Sequence, residues 1–164
     1  MKDTILTHEQ IVHILRRIAY QILESNASEK ELTIAGIEGS GYLFAQKIAE
    51  ELQTVSPLSI EVIKVSLNKK APKSSEVTLD SAADLSNKSV VLVDDVLNSG
   101  ATLMFGCVPF LEQGVRKLKT AVLVNRNHKR YPVKADFKGI SLSTSIQTHV
   151  KVSLEKNKYS AHLE

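Results

Sequence analysis

The chain has a single cysteine, Cys107, among its 164 residues, so no disulfide can form within it. A disulfide-stapled secreted fold is thereby excluded, and a reducing, cytoplasmic setting is expected. Cys107 falls in an apolar helical pattern and reads as a small buried hydrophobe. The five histidines are scattered, and neither they nor the cysteine show metal-ligand spacing. No apolar run approaches the length of a membrane span, and the opening Met1-Lys2-Asp3-Thr4 leads into no signal-type apolar stretch, so no membrane partner is expected. Repeats and low-complexity segments are absent. An excess of one charge is missing too: 21 basic against 18 acidic residues leave +3, which agrees with phosphate ligands but does not by itself indicate nucleic acid. What remains is an ordinary globular composition, 43% apolar, long enough for one domain over residues 1–164.

Periodicity orders the chain. Thr7-His8-Glu9-Gln10 reads as a capping box that opens a helix with Ile11, Ile14, Leu15, Ile18, Ile22 and Leu23 on one face, ending near Asn26. Leu32 to Ile37 is a strand, Gly36 to Gly41 a glycine-rich turn, Tyr42 to Gln53 a helix, and Ile60 to Leu67 a second strand. Residues 68–88 are polar and aperiodic, and a stretch of that length in a compact domain predicts a flexible lid carrying Lys69 and Lys70. A helix from about residue 102 to Gln113 is stopped by Gly114, and Pro109 inside it predicts a kink. A strand follows at Leu118–Val124, with weaker strand signals at 137–142 and 149–154. Strands alternating with helices predict an α/β fold with a doubly wound, mainly parallel sheet.

Residues 90–102, Val-Val-Leu-Val-Asp-Asp-Val-Leu-Asn-Ser-Gly-Ala-Thr, carry the chemistry. Val90 to Val93 is the pattern of a strand buried on both faces, and open α/β sheets bind ligands beyond the carboxyl ends of such strands. There Asp94 and Asp95 repel each other unless a donor or a cation intervenes. A ribose diol, or a sugar phosphate with Mg²⁺, meets that need. The next residues can wrap backbone N–H groups around a phosphate at a helix N-terminus; Gly100 permits the turn, and the Ser99 and Thr102 hydroxyls add donors. Asp pairs at strand ends also serve as turn formers, but the thirteen-residue pattern outweighs that reading. A response-regulator receiver is excluded, because the strand 121–124 ends in Asn125 where a phosphoacceptor Asp belongs. The turn at Gly39-Ser40-Gly41 half-matches a dinucleotide fingerprint, yet Phe44 takes the third glycine position and no acid ends the second strand.

The segment resembles the PRPP-binding motif of type I phosphoribosyltransferases. The order of parts along nearly the whole chain is similar to the bifunctional regulators of pyrimidine operons, which couple uracil phosphoribosyltransferase activity to messenger RNA binding. That likeness runs through Arg16-Arg17-Ile18-Ala19-Tyr20, Ile48-Ala49-Glu50-Glu51-Leu52, Asn125-Arg126-Asn127-His128-Lys129-Arg130-Tyr131-Pro132, Ala135-Asp136-Phe137-Lys138-Gly139 and Ser143-Thr144-Ser145. The resemblance implies the type I fold with a small hood at about 125–148, a homodimer, and transfer from PRPP to a nucleobase, foremost uracil. It implies Asp94 and Asp95 as catalytic and ribose-binding groups, and Val96, Leu97, Asn98, Ser99, Gly100, Ala101 and Thr102 as the rest of the PRPP site. Glu38, Gly39, Ser40 and Gly41 would form the pyrophosphate loop, Lys69 and Lys70 would close from the lid, and Asn125, Arg126, Asp136 and Phe137 would form the base hood. Mg²⁺ would be bound mainly through PRPP, with no metal site of the protein's own. Three departures stand out. The pyrophosphate loop reads Glu-Gly-Ser-Gly where the family usually has Lys-Thr-Arg-Gly, and the PRPP loop has Ala101 where an Arg is usual. The RNA-binding helix has Tyr20 in place of a His. A non-catalytic sensor of PRPP or a nucleotide, with RNA as a further partner, is the alternative of a different class.

Overall fold

In a computed structural model, residues 3–143, 145, 147–156 and 158–164 are described. After a short strand β1 (Asp3–Leu6), helix α1 (His8–Ser25) starts where its cap predicts. The Thr7 Oγ1 accepts from the Gln10 amide, and the Gln10 side chain accepts from the Thr7 amide at 2.8 Å. Its apolar face, Ile11, Ile14, Leu15, Ile18 and Ile22, is buried. The chain continues through β2 (Glu31–Ile37), α2 (Ser40–Val55), β3 (Ser59–Ser66), β4 (Thr78–Leu79), β5 (Ser89–Leu97), α3 (Ala101–Glu112), β6 (Lys117–Arg126), β7 (Phe137–Leu142), β8 (Val150–Ser153) and β9 (Ser160–Leu163).

Six strands form the central sheet in the order β4-β3-β2-β5-β6-β7, all parallel except the antiparallel edge pair β3–β4. The chain winds outward from β2 to β3 on one side and from β5 through β6 to β7 on the other. The β2–β5 junction is therefore the topological switch point, where ligands of open α/β sheets bind. Helices α1 and α2 pack on one face in a core with Ile34, Val91, Val93 and Leu123; α3 covers the other with Ile37, Leu92, Phe110 and Val122. The doubly wound, mainly parallel α/β fold is as expected. Cys107 lies on α3 as a small hydrophobe, and burial pushes its thiol up to about 11, so it stays protonated at neutral pH.

Long-range pairing changes several local expectations. Strand β5 does not stop at Val93; it carries both acids and ends at Leu97, because β6 continues to pair with it through Val96–Val124 and Leu97–Asn125. The stretch 68–88 is not one unanchored segment. Leu79 pairs with Val65, Asp80 exchanges hydrogen bonds with the Lys64 backbone at 2.7 and 3.1 Å, and Leu85 is buried with its amide on Gln113. With residues 79–85 anchored, the stretch to which the lid expectation can still apply shortens to about residues 67–77. The expected hood at 125–148 dissolves as well. Asn125 and Arg126 end β6, and residues 137–142 form β7 of the central sheet. The smaller layer is instead a three-stranded antiparallel sheet, β1-β9-β8, built from the two ends of the chain. Thr144 and Ile146, within the expected hood, lie outside the described residues. Helix α3 continues from Ala101 to Glu112 through Pro109.

Helix α2 lies close on β2 because Gly36 has no side chain: a Cβ there would sit 2.6 Å from the Tyr42 Cα and 2.7 Å from the Ala45 Cβ. Backbone atoms cannot rotate away, so Gly36→Ala is expected to lower stability by about 1–3 kcal/mol. Denaturant unfolding with an unchanged m-value measures this, and an unaltered midpoint would contradict the close approach.

Candidate active site

The two acids sit where β2 and β5 part. Pairing of β2 with β5 ends at Gly36–Val93, so Asp94 to Leu97 form an overhang held only by β6. The turn after β2 folds into that gap. Gly39, at φ +94°, starts α2, and Gly41 brings the backbone against the acid. A Cβ on Gly41 would lie 2.7 Å from the Asp94 Oδ1. Beyond the overhang, Asn98 and Ser99 lead to Gly100 at φ +87°, a left-handed conformation that glycine adopts without strain. Its position is crowded too, since a Cβ would meet Val133 at 2.6 Å. The loop is clamped from that side: the amides of Arg130 and Tyr131 donate to the Ser99 carbonyl at 2.7 and 3.1 Å. Helix α3 then begins with no acidic residue in its first turn, so its N-terminal amides and dipole present positive potential to the loop.

An open cleft of about 930 Å³ is lined by Lys69, Lys70, Asp94, Asp95, Asn98, Ser99, Ala101 and Thr102, with Pro72, Val96 and Val150 beside them. A smaller recess of about 240 Å³ under the loop adds Leu97 and Gly100. Asp94 is 3% exposed. Burial, and then the charge of Asp95, hold its carboxyl well above the usual carboxylate range, opposed by Lys69, whose Nζ lies 3.5 Å from the Asp94 Oδ1. Each acid accepts the next residue's amide at 2.9 Å, Asp94 from Asp95 and Asp95 from Val96. The arrangement is an acidic pair, one carboxylate buried and one half-buried, beside two lysines and a helix-capped anion cradle. Chemically it can hold hydroxyls at the acids and a phosphate at the loop.

The residues expected from sequence divide into groups. The acids, residues 96–102, Lys69 and Lys70 come together at the cleft and its recess. Glu38 to Gly41 adjoin it through Gly41, but the Ser40 hydroxyl donates to the Val152 carbonyl at 3.4 Å, and Glu38 is exposed. Arg126 is buried beside the loop, its Nη1 donating to the Asn98 Oδ1 at 3.0 Å. Asn125 is buried with its Nδ2 on Ser141. Asp136 and Phe137 do not join the site. The Asp136 carboxylate accepts the Thr120 amide at 2.9 Å, low on the sheet, and Phe137 packs into the core. Sequence reasoning missed Pro72 and Val150 in the cleft, and His128 and His149 in the cavity next to it. Only the alternation around Val150 could have placed it on a strand face.

A fold of this kind, with an acidic pair and a loop leading into a helix N-terminus at the switch point, defines a class, and comparison agrees. Residues 1–157 match the family described as phosphoribosyl transferase domain. The chain belongs to that family. Among curated relatives it is similar to the bifunctional protein PyrR of Bacillus subtilis strain 168, 30% identical over 94% of this chain and 91% of that protein. It is likewise similar to the bifunctional protein pyrR of Enterococcus faecalis OG1RF, 32% identical over 87% and 84%. Its fold matches hypoxanthine phosphoribosyltransferase of Trypanosoma cruzi, with a TM-score of 0.80 at 14% identity over 97% and 95% of the two chains. A Bacillus anthracis hypoxanthine-guanine phosphoribosyltransferase gives 0.79 at 18% over 100% and 98%. The type I fold is thereby shown.

The raised Asp94 has a consequence for stability. A carboxyl whose folded pKa exceeds its unfolded value favours the folded state below the unfolded pKa, and that advantage is lost as pH rises through the folded value. At about pH 8, far above the unfolded value, the buried carboxyl of Asp94 is therefore a burden. Asp94→Asn is expected to raise the melting temperature there and to lose that gain toward about pH 4. A variant equally stable to wild type at both pH values would contradict the buried, ionisable acid.

Proposed function

We propose that this chain transfers the phosphoribosyl group of PRPP to a nucleobase, with uracil the first candidate, giving UMP and pyrophosphate. The observation that carries the reading is the acidic pair, Asp94 buried and Asp95 half-buried, on the β5 overhang next to the helix-capped loop of residues 98–102. Asp94 and Asp95 hold the ribose hydroxyls, and backbone amides of residues 99–102, with the Ser99 and Thr102 hydroxyls, take the 5′-phosphate. The C1–oxygen bond to pyrophosphate breaks as the base nitrogen bonds to C1, and the proton of that nitrogen passes to a carboxylate or to water. Positive charge developing at the sugar is stabilised by the adjacent acids, as in other glycosyl transfers. Lys69 leaves Asp94 when the cleft fills and, with Lys70, meets the departing pyrophosphate as residues 67–77 close. Arg126 and Asn125 border the acceptor.

The donor set suits Mg²⁺ carried by the substrate. Among the described residues no three His, Cys, Asp or Glu side chains cluster to hold a metal, while the acidic pair offers outer contacts to an ion ligated by PRPP oxygens. Bound there, the ion would neutralise leaving-group charge. The cytoplasm is the compartment that fits one unpaired cysteine and a phosphorylated substrate; among the described residues no helix is long and apolar enough to cross a membrane. A homodimer is supported by α3, where Met104, Val108 and Leu111 are exposed at 36%, 40% and 64% along one face. Leu111→Glu is expected to yield monomers by light scattering at concentrations where the native chain is dimeric; unchanged mass would remove α3 from the interface.

One observation favours a sensor of PRPP or nucleotide, with RNA as its further partner. The loop Glu38 to Gly41 has no cation, and its serine hydroxyl is turned toward β8. A guanidinium makes paired, charge-assisted bonds to phosphate that this loop lacks. Losing one comparable transition-state donor lowers rates by about 10²–10³. Incubation with PRPP, Mg²⁺ and uracil is therefore expected to form UMP slowly, and Ser40→Arg to raise the rate. Binding of PRPP without UMP formation by either protein would favour the sensor; native turnover that Ser40→Arg does not increase would make the missing Arg irrelevant.

A further inference from the structure

The phosphate loop has a second neighbour. A cavity of about 590 Å³ shares Asn98 and Ser99 with the cleft and is otherwise walled by Arg126, His128, Arg130 and His149. No acidic side chain is among its described lining residues. Three of these side chains stand on fixed backbone. Arg126 is 4% exposed and, besides its bond to Asn98, donates from Nη2 to the Ser145 carbonyl at 2.8 Å. The Arg130 amide is one of the two that clamp the Ser99 carbonyl. His149 exchanges backbone hydrogen bonds with Glu164 at 2.9 and 2.8 Å, while the Glu164 carboxylate lies 3.7 Å from the Lys151 Nζ.

Two guanidinium groups in one concavity focus positive potential into it, and two imidazoles line it beside them. Guanidinium forks match carboxylate and phosphate oxygens, and each imidazole offers a ring N–H donor. Uracil is neutral and the 5′-phosphate is met by the backbone amides of residues 99–102, so the reaction proposed above, which sets Arg126 beside the acceptor, gives Arg130 and His149 no anion to meet. We propose that the cavity is a second anion site, taking a carboxylate or phosphate group next to the bound phosphoribosyl group. Its anion is either an acid substituent on the acceptor base or a free small anion. The placement beside the phosphoribosyl group rests on the reading of residues 98–102 as the 5′-phosphate loop.

Calorimetry with the full chain tests this. The protein is first saturated with ribose 5-phosphate, so that the loop is filled, and then titrated with uracil, with 6-carboxyuracil and with inorganic phosphate. The same titrations are made on a variant carrying Arg130→Ala and His149→Ala, two exposed side chains whose backbone contacts survive the change. If the acid belongs to the base, 6-carboxyuracil binds about tenfold or more tighter than uracil, and the variant loses that difference while its uracil affinity stays put. If the anion is free, phosphate binds saturably and the variant weakens it about tenfold, with the two bases alike. Neither preference in the native chain, or both unchanged in the variant, overturns the site. Failure of ribose 5-phosphate to bind would sink the phosphoribosyl reading instead, and phosphate affinity in native and variant protein still decides the anion site.

Discussion

A buried carboxylate beside a second one is the constraint around which the rest is arranged. Asp94 is almost fully enclosed, with Asp95 as its neighbour and its ionised form disfavoured by both. A globular protein keeps such a pair only where something else gains from it. Here the surroundings answer the charge without removing it: the Asp95 amide, Lys69 at 3.5 Å, and a glycine at position 41 that lets the α2 turn approach the oxygen. The sheet supplies the place. Because β2 stops pairing at Gly36 while β6 continues, β5 has four residues of overhang at the point where two turns from opposite sides meet.

The same arrangement explains where rigidity and freedom lie. The loop of residues 98–100 is fixed from behind by Arg126, Arg130 and Tyr131, and a side chain at Gly100 would collide with Val133. The loop is thus held in shape by the chain itself, which would lower the ordering cost of binding the proposed phosphate. Across the cleft, Lys69 and Lys70 stand on a short segment between β3 and β4, held mainly by local bonds from Asn68 and Ser75. For the proposed transfer, a firmly held loop on one side and a cationic segment with few long-range bonds on the other would suit a substrate that is enclosed and then released in two pieces.

Much of this was legible along the chain because the signals are local. The Thr7 to Gln10 cap forms both of its bonds, Val90 to Val93 is buried on both faces, and the small residues from Asn98 to Thr102 turn into a helix N-terminus. What escaped depends on partners far away in sequence. The length of β5 is set by β6, and the anchoring of Asp80 and Leu85 by Lys64 and Gln113. The smaller sheet joins the two chain ends, so no segment of hood could be read from residues 125–148 alone. Asp136 shows the same limit from the other direction. Its place in a motif resembling the family's hood suggested the base site, yet its carboxylate bonds the Thr120 backbone between two strands.

The proposed transfer requires that the Asp94–Asp95 pair hold the ribose of PRPP. Isothermal titration of PRPP with Mg²⁺ into the native chain and into the Asp94→Asn, Asp95→Asn double variant tests it most directly. The account predicts saturable one-site binding to the native protein and none to the variant, with the variant still folded by circular dichroism. Affinity for PRPP unchanged in a folded double variant would contradict it.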